Sequence, residues 1–210
     1  MTSPKIKWIL FDMGNVLVEL RTGGLERAAA ALGSTPERLT ALFHENGIGE
    51  RIAAGKLSPE DFVEQINRRF GSSIAPADIV SWFGPEVAVI YPEAPALIAS
   101  LKGRYSLGIL SNTFFGHWDY FMAMDFARQF DAPMASHLLG FCKPDPRAYR
   151  AALDRMGATA AETVFVDDLP ENVEAARALG FTAFQSTTPS QLIKGLHSAG
   201  VTTGTDPQSC

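Results

Sequence analysis

Five short apolar runs punctuate the chain: Trp8 to Phe11, Ser106 to Leu110, Ala132 to Ala135, Thr163 to Val166 and Phe181 to Phe184. Runs of this length and composition read as buried strands. Helical patterns lie between them. Asp145-Pro146 opens one, with the Asp as N-cap and the Pro in the first turn. Leu169-Pro170 leads into another, Val173-Glu174-Ala175-Ala176-Arg177-Ala178-Leu179, which Gly180 closes as a C-cap. A third starts at Pro92 or Glu93 and runs through Leu101 into the second strand. Strands alternating with helices predict a doubly wound, Rossmann-like α/β core, a parallel sheet with helices on both faces.

From about Glu19 to Val87 the alternation stops, and the stretch offers several helices but no convincing strand. Thr35-Pro36-Glu37 opens one helix, Ser58-Pro59-Glu60-Asp61 opens another, and Pro76 and Pro85 punctuate the end. A helical block inserted after the first strand of a parallel sheet would rise over the C-terminal sheet edge as a cap, or would pack on one sheet face within a single core. We divide the chain into an α/β core (residues 1–18 and 88–200), an inserted α-helical cap (19–87) and a loose tail (201–210).

At 210 residues the chain is long enough for one sizeable core with a smaller appended unit. A formal charge of -5 argues against a nucleic-acid or anionic-membrane surface, since both call for a basic face. Cys142 and Cys210 are too few for a disulfide framework, and no secretory signal or membrane span is visible, so a cytoplasmic location is expected.

The chemistry concentrates at strand ends, which in an open parallel sheet is where ligands bind. Asp12 follows the first apolar run, with Gly14 and Asn15 permitting a tight turn after it. Ser111-Asn112-Thr113 follows the second run, and Asp167-Asp168 follows Val164-Phe165-Val166. Phe141-Cys142-Lys143-Pro144-Asp145 puts a lysine just before a helix. Adjacent carboxylates repel unless a cation compensates, and with Asp12 they offer the oxygen ligands that suit a hard ion such as Mg2+. The Ser111 hydroxyl and the Lys143 ammonium suit phosphoryl oxygens. Each cluster alone also has a plainer use: helix cap for Asp12 or Asp167-Asp168, turn for Ser111-Asn112, surface charge for Lys143.

The four clusters together resemble the haloacid dehalogenase superfamily of hydrolases. The matching elements are Phe11-Asp12-Met13-Gly14-Asn15-Val16-Leu17, Leu110-Ser111-Asn112-Thr113, Lys143-Pro144-Asp145-Pro146, and Val166-Asp167-Asp168 with Asn172 four residues on. Within the superfamily the chain is similar to small-molecule phosphatases of the bacterial α-glucose-1-phosphate phosphatase kind, which also read Asp-x-Gly-Asn-Val. The resemblance implies a Mg2+-dependent phosphatase acting on a small phosphorylated metabolite, as a monomer or homodimer. It assigns Asp12 as the nucleophile that forms an aspartyl-phosphate and as a metal ligand. The Gly14 carbonyl and Asp168 would be further metal ligands, with Asp167 and Asn172 in support. Ser111 and Asn112 would bind the phosphoryl group, and Lys143 would offset charge on Asp12 and phosphate.

One position departs from the pattern. Many family phosphatases carry a second Asp two residues after the nucleophile as general acid and base, and here that position is Gly14. Three explanations follow: a leaving group acidic enough to depart unaided, a proton lent by a cap residue such as His44, Glu45 or Glu50, or lost activity. The last would leave a catalytically weak phosphate- or metal-binding homologue. Metal-independent 2-haloacid dehalogenases also lack that Asp, but they usually lack a paired Asp in the fourth motif. His117 and Trp118 lie close enough after Ser111 to line the pocket.

Overall fold

The protein, described here as a computed structural model, is defined over residues 5–87 and 89–203. Five strands form one parallel sheet: β1 (Trp8–Phe11), β2 (Ser106–Ser111), β3 (Ala132–Ala135), β4 (Thr163–Asp167) and β5 (Thr182–Gln185). Their order is β3-β2-β1-β4-β5, with β1 central, so the chain winds to one side of β1 and then to the other. All five follow the apolar runs of the sequence to within one residue at either end.

The runs are apolar at every position because both sheet faces are covered. Ile9, Phe11, Leu107, Ile109, Val164 and Val166 face one layer. That layer is built from α6 (Ala94–Leu101), α7 (Phe115–Met122) and α11 (Pro189–Ser198) through Ile98, Leu101, Trp118, Phe121, Leu192 and Leu196. Leu10, Leu110 and Phe165 face the other layer, where Tyr149 and Ala152 of α9 (Pro146–Met156) meet Val173 and Ala176 of α10 (Pro170–Ala178). Phe121 and Phe126 pack in the first of these layers, so the apolar stretch they belong to serves the sheet. The expected caps are in place: Asp145 accepts from the Arg147 N–H at 2.9 Å, ahead of Pro146.

Five α-helices follow β1 before α6: α1 (Gly23–Ala31), α2 (Pro36–His44), α3 (Ile48–Ala53), α4 (Pro59–Phe70) and α5 (Pro76–Phe83). Thr35 and Ser58 cap α2 and α4 as their sequences predict. These helices share an apolar cluster of their own, including Leu39, Ile52, Phe62, Ile66, Ile79 and Phe83. Phe115, the first residue of α7, belongs to this cluster rather than to the sheet, so the segment after β2 plugs the helical block from below. Two contacts pin the block's α3 end to α8 (Ser136–Leu139), the short helix at the end of β3. The Ser136 hydroxyl donates to the Ala53 carbonyl at 2.6 Å, and Gly55 passes so close to His137 that a Cβ on it would stand 2.1 Å from the carbonyl oxygen.

Two features differ from the sequence reading. Residues 201–203 do not trail: Val201 is buried, and the Thr202 N–H donates to Tyr105 Oη at 3.0 Å. The remainder of the expected tail, residues 204–210, lies outside the described residues. The left-handed residue of the turn after Asp12 is Asn15, at φ 54°, whereas Gly14 does not adopt a positive φ.

The Gly55 contact makes a testable difference. Gly55 and Gly71 both sit at left-handed φ, 65° and 67°, but Gly71 has nothing within 4 Å of an added Cβ. Gly71→Ala is expected to cost only the ~1–2 kcal/mol of the left-handed backbone. Gly55→Ala is expected to cost at least ~1 kcal/mol more in urea unfolding, because a backbone carbonyl cannot yield. Equal losses would mean that the helical block is not seated on α8 in this way.

Candidate active site

The register of the central strands sets the site. Phe11 pairs with Ile109 on one side and Val166 on the other, which puts Asp12 level with Asp167 and one step below Ser111. The Asp12 N–H continues the ladder by donating to the Val166 carbonyl at 2.8 Å. Three chain segments remote in sequence therefore end at one sheet edge. They open onto a cleft of about 340 Å³ lined by Asp12, Gly14, Ser111, Lys143, Asp168 and Asn172 among others.

Lys143 closes the constellation. Its Nζ lies 2.8 Å from Asp12 Oδ1 and 2.6 Å from Asp167 Oδ2, and all three residues are buried. Burial by itself would push the Lys143 ammonium toward neutrality. The two carboxylates outweigh it, and the pKa is raised above the usual lysine value. The lysine's reach depends on Asn112. That carboxamide donates to the Lys143 carbonyl at 2.7 Å and accepts from the Lys143 N–H at 2.8 Å, clamping the lysine's own peptide. Both ends of the Asn112 side chain are thereby engaged.

The paired aspartates divide their work. Asp167 has no exposed surface, and beyond Lys143 its Oδ1 accepts from Asn172 Nδ2 at 2.9 Å and the Leu169 N–H at 3.0 Å. It holds the start of α10 as well as the lysine, so the helix-capping use and the site use are combined in one side chain. Asp168 is less buried, and its Oδ2 accepts from Asn15 Nδ2 at 2.9 Å. Asn15 can reach it because the left-handed turn aims the side chain back across the cleft. The sequence reading gave Asn15 a backbone role only. Its αL-tolerant residue type in a turn beside Asp12 was the available signal.

Asp12, Asp167 and Asp168 each offer one oxygen within 4.8 Å of the others. One ammonium against three carboxylates leaves two negative charges uncompensated, and among the described residues no other Lys or Arg forms an ion pair with them. The donors are all hard oxygens, and Asp167 already accepts three hydrogen bonds from the protein. Asp12 and Asp168 therefore remain as the natural ligands for a small divalent cation. The Asp12 carboxyl is pushed up to about 6, first by burial and then by Asp167, with Lys143 opposing.

The other residues singled out from sequence separate clearly. His117 lines the Asp12 cleft, whereas Trp118 is buried in the sheet core. None of the three cap residues considered as proton donors lines that cleft. His44 and Glu50 border an adjoining cavity that shares Asn112 and Lys143 with it, and Glu45 lies 3.7 Å from Arg69. The space above Gly14 is taken by Leu20, whose Cδ1 lies 2.9 Å from where a Cβ would stand. Leu20 is a wall residue that the motifs did not announce, and Thr113, the last residue of the second motif, lines the wall as well.

The sequence matches the haloacid dehalogenase-like hydrolases over residues 6–180. It is 28% identical over 199 residues to mouse acyl-CoA dehydrogenase family member 10, covering 90% of this chain but only 18% of that protein's length. It is 26% identical to D-ribitol-5-phosphate phosphatase of Bacteroides thetaiotaomicron, covering 86% of this chain and 91% of the relative. The fold superposes on a haloacid dehalogenase family enzyme of the same bacterium, solved with magnesium and inorganic phosphate. The TM-score is 0.73 at 23% identity, over 86% of this chain and 93% of that one.

The charge imbalance predicts opposite effects from two substitutions, measured by urea unfolding in EDTA. Lys143→Met strands two buried carboxylates and is expected to cost ~3–5 kcal/mol. Asp12→Asn removes one of the repelling charges and is expected to leave stability unchanged or raised. Because Asp12 ionises near 6 in the fold and 3.8 in the unfolded chain, the fold binds its proton more tightly. Wild-type stability from this group is present below the lower value and lost as pH rises through the upper. The Asp12→Asn protein should therefore gain on wild type between about pH 4 and 6 and hold a constant difference above that window. A variant that loses stability across the same window would overturn the assignment.

Proposed function

Because the chain belongs to the haloacid dehalogenase-like hydrolase family, we propose that it is a Mg2+-dependent phosphatase that hydrolyses a small phosphomonoester, a sugar-type phosphate, through an aspartyl-phosphate on Asp12. The observation that carries this reading is the placement of Lys143 Nζ between Asp12 and Asp167, with Asp168 at the mouth of the same cleft. Relatedness to a ribitol-phosphate phosphatase and a cleft of about 340 Å³ both favour a small polar metabolite.

Asp12 Oδ1 is engaged by Lys143, which leaves the other oxygen to attack phosphorus. The ammonium holds Asp12 ionised and oriented for that attack, and lies where it can also meet charge on the phosphoryl group. The bond from phosphorus to the leaving oxygen breaks as the aspartyl-phosphate forms. Hydrolysis of that acyl phosphate restores the Asp12 carboxylate. Across the two steps one water is consumed, its proton ending on the alcohol and its hydroxyl on the phosphate. Ser111, buried at the end of β2 and lining the cleft, is placed to donate to a phosphoryl oxygen. Asn112 holds the Lys143 peptide with one N–H and its side-chain oxygen, which leaves its second side-chain N–H and its backbone for a phosphoryl oxygen.

Asp12, Asp168 and the Gly14 carbonyl would hold Mg2+, with Asn15 steering Asp168. Bound there, the ion supplies charge neutralisation for the carboxylates and the transferring phosphoryl group. With Leu20 above Gly14 and no cap carboxylate lining the cleft, no side chain among the described residues stands in for a second aspartate. General acid–base help is typically a 10²–10⁴-fold effect. Its absence favours leaving groups that need little protonation, such as anomeric or acyl oxygens.

Inorganic phosphate release from a panel of sugar, acyl and nitrophenyl phosphates tests the proposal. The expected result is turnover with Mg2+ that EDTA abolishes and that Asp12→Asn lowers by at least ~10³-fold. Asn15→Ala is expected to raise the Mg2+ concentration for half-activity by ~10–100-fold, the usual effect of removing a residue that orients a ligand. EDTA-insensitive release of halide from a 2-haloacid would replace the proposal with dehalogenation. Retention of phosphate without turnover would leave a binding protein.

A further inference from the structure

Two polar atoms on residues that line the cleft have no hydrogen-bond partner among the described residues. Thr113 Oγ1 and His117 Nε2 are both buried and unbonded, although both residues line the cleft that holds Asp12. Neither side chain is loosely placed. The Thr113 N–H donates to Ser136 Oγ at 3.0 Å, and its carbonyl accepts from His137 Nδ1 at 3.1 Å. The backbone is thus fully engaged and only the hydroxyl is spare. The His117 ring is held between Phe114, with centroids 4.8 Å apart, and Phe83, at 6.0 Å.

Buried polar atoms without partners lower stability, so their retention calls for a partner supplied by function. The chemistry of that partner is legible. Burial pushes the His117 imidazole down to about 4 despite Glu86 nearby, so the ring is neutral at ordinary pH. A neutral ring is a hydrogen-bonding group and a poor proton donor to a leaving alkoxide. A threonine hydroxyl both donates and accepts. The common complement of these two atoms is a neutral hydroxyl.

We propose that Thr113 and His117 form a hydroxyl-reading subsite for the alcohol part of the substrate, which makes sugar phosphates, rather than alkyl phosphates, the preferred class. The inference rests on the phosphatase reading of the same cleft. Each of these atoms is closed off in the free protein, so reading a substrate hydroxyl requires a rotation of the side chain toward the cleft, with the new hydrogen bond offsetting its cost. Leu20, Met13 and Leu169 supply the apolar remainder of the wall, so a ligand lacking hydroxyls would leave both polar atoms unsatisfied.

Ribitol 5-phosphate and n-pentyl phosphate, which share a carbon count and a phosphate, separate the alternatives. With Mg2+ and 15N-histidine-labelled Asp12→Asn protein, ribitol 5-phosphate is expected to shift the Nε2 resonance of His117, identified by its loss in His117→Phe, and pentyl phosphate is not. In the active enzyme, the ratio of kcat/KM for ribitol 5-phosphate over pentyl phosphate should fall ~10-fold in His117→Phe and in Thr113→Val, as for one lost hydrogen bond. Thr113→Ser, which keeps the hydroxyl, should preserve the ratio. A resonance that moves equally with both compounds, or a ratio unchanged in both variants, would overturn the subsite. A selective shift in a protein whose wild type releases no phosphate would support the subsite and remove the phosphatase reading. Hydrolysis with an unmoved resonance would do the reverse.

Discussion

One buried ammonium holds the site together. Lys143 Nζ sits between carboxylates at the C-terminal ends of two adjacent strands, β1 and β4. An ion pair without solvent is stable only when its geometry is fixed and its remaining hydrogen-bonding capacity is used. The surrounding residues meet that condition one by one. Asn112 clamps the lysine's peptide, Asn172 and the Leu169 N–H fill the spare oxygen of Asp167, and Asn15 turns Asp168 toward the cleft. What the network leaves over is net negative charge at Asp12 and Asp168, the two carboxylates with least protein around them. Charge left unbalanced in a prepared pocket is a binding capacity for a cation, which matches it in sign and suits its oxygen ligands.

The helical block gives this edge its walls. Phe115 sits in the block's own apolar cluster, and Phe114 packs against it, immediately after Ser111-Asn112-Thr113. The segment that follows β2 and the block are thus parts of one packed unit. Ser136 ties the same segment to Ala53 by bonding both the Thr113 backbone and the α3 carbonyl. A site borne on such supports holds its geometry without a ligand, as catalysis by positioning and electrostatics requires.

Much of this was legible in the sequence for one reason: strands buried on both faces must be apolar throughout, so five runs gave five strands and their polar successors gave the sheet edge. The helices with a Thr, Ser or Asp cap and a following Pro were equally plain, and Thr188-Pro189 carries the same signal for α11. Other elements carried no such mark. Helix α1 begins at Gly23-Gly24 without a side-chain cap, and α7 begins with two phenylalanines whose destination is another cluster. Within the site, ligand-type residues were readable because their chemistry is unusual after an apolar run. Asn172, which holds Asp167, came with the fourth motif, but two other residues that act by holding were not readable as such. Asn15 and Asn112 owe their roles to a left-handed turn and to a contact 31 residues away, and neither is encoded in spacing. Leu20 and Thr113 matter by where they stand, which only the fold decides.

The central claim is that Asp12, poised by Lys143, is the group that takes the phosphoryl. It is tested most directly by acid-quenching the enzyme during turnover of a sugar phosphate with Mg2+ and analysing its peptides by mass spectrometry. The account predicts one phosphoryl group on the peptide containing Asp12, removed by hydroxylamine as an acyl phosphate must be and absent from Lys143→Met. A phosphoryl group on any other residue, or turnover with none on the enzyme at all, would contradict it.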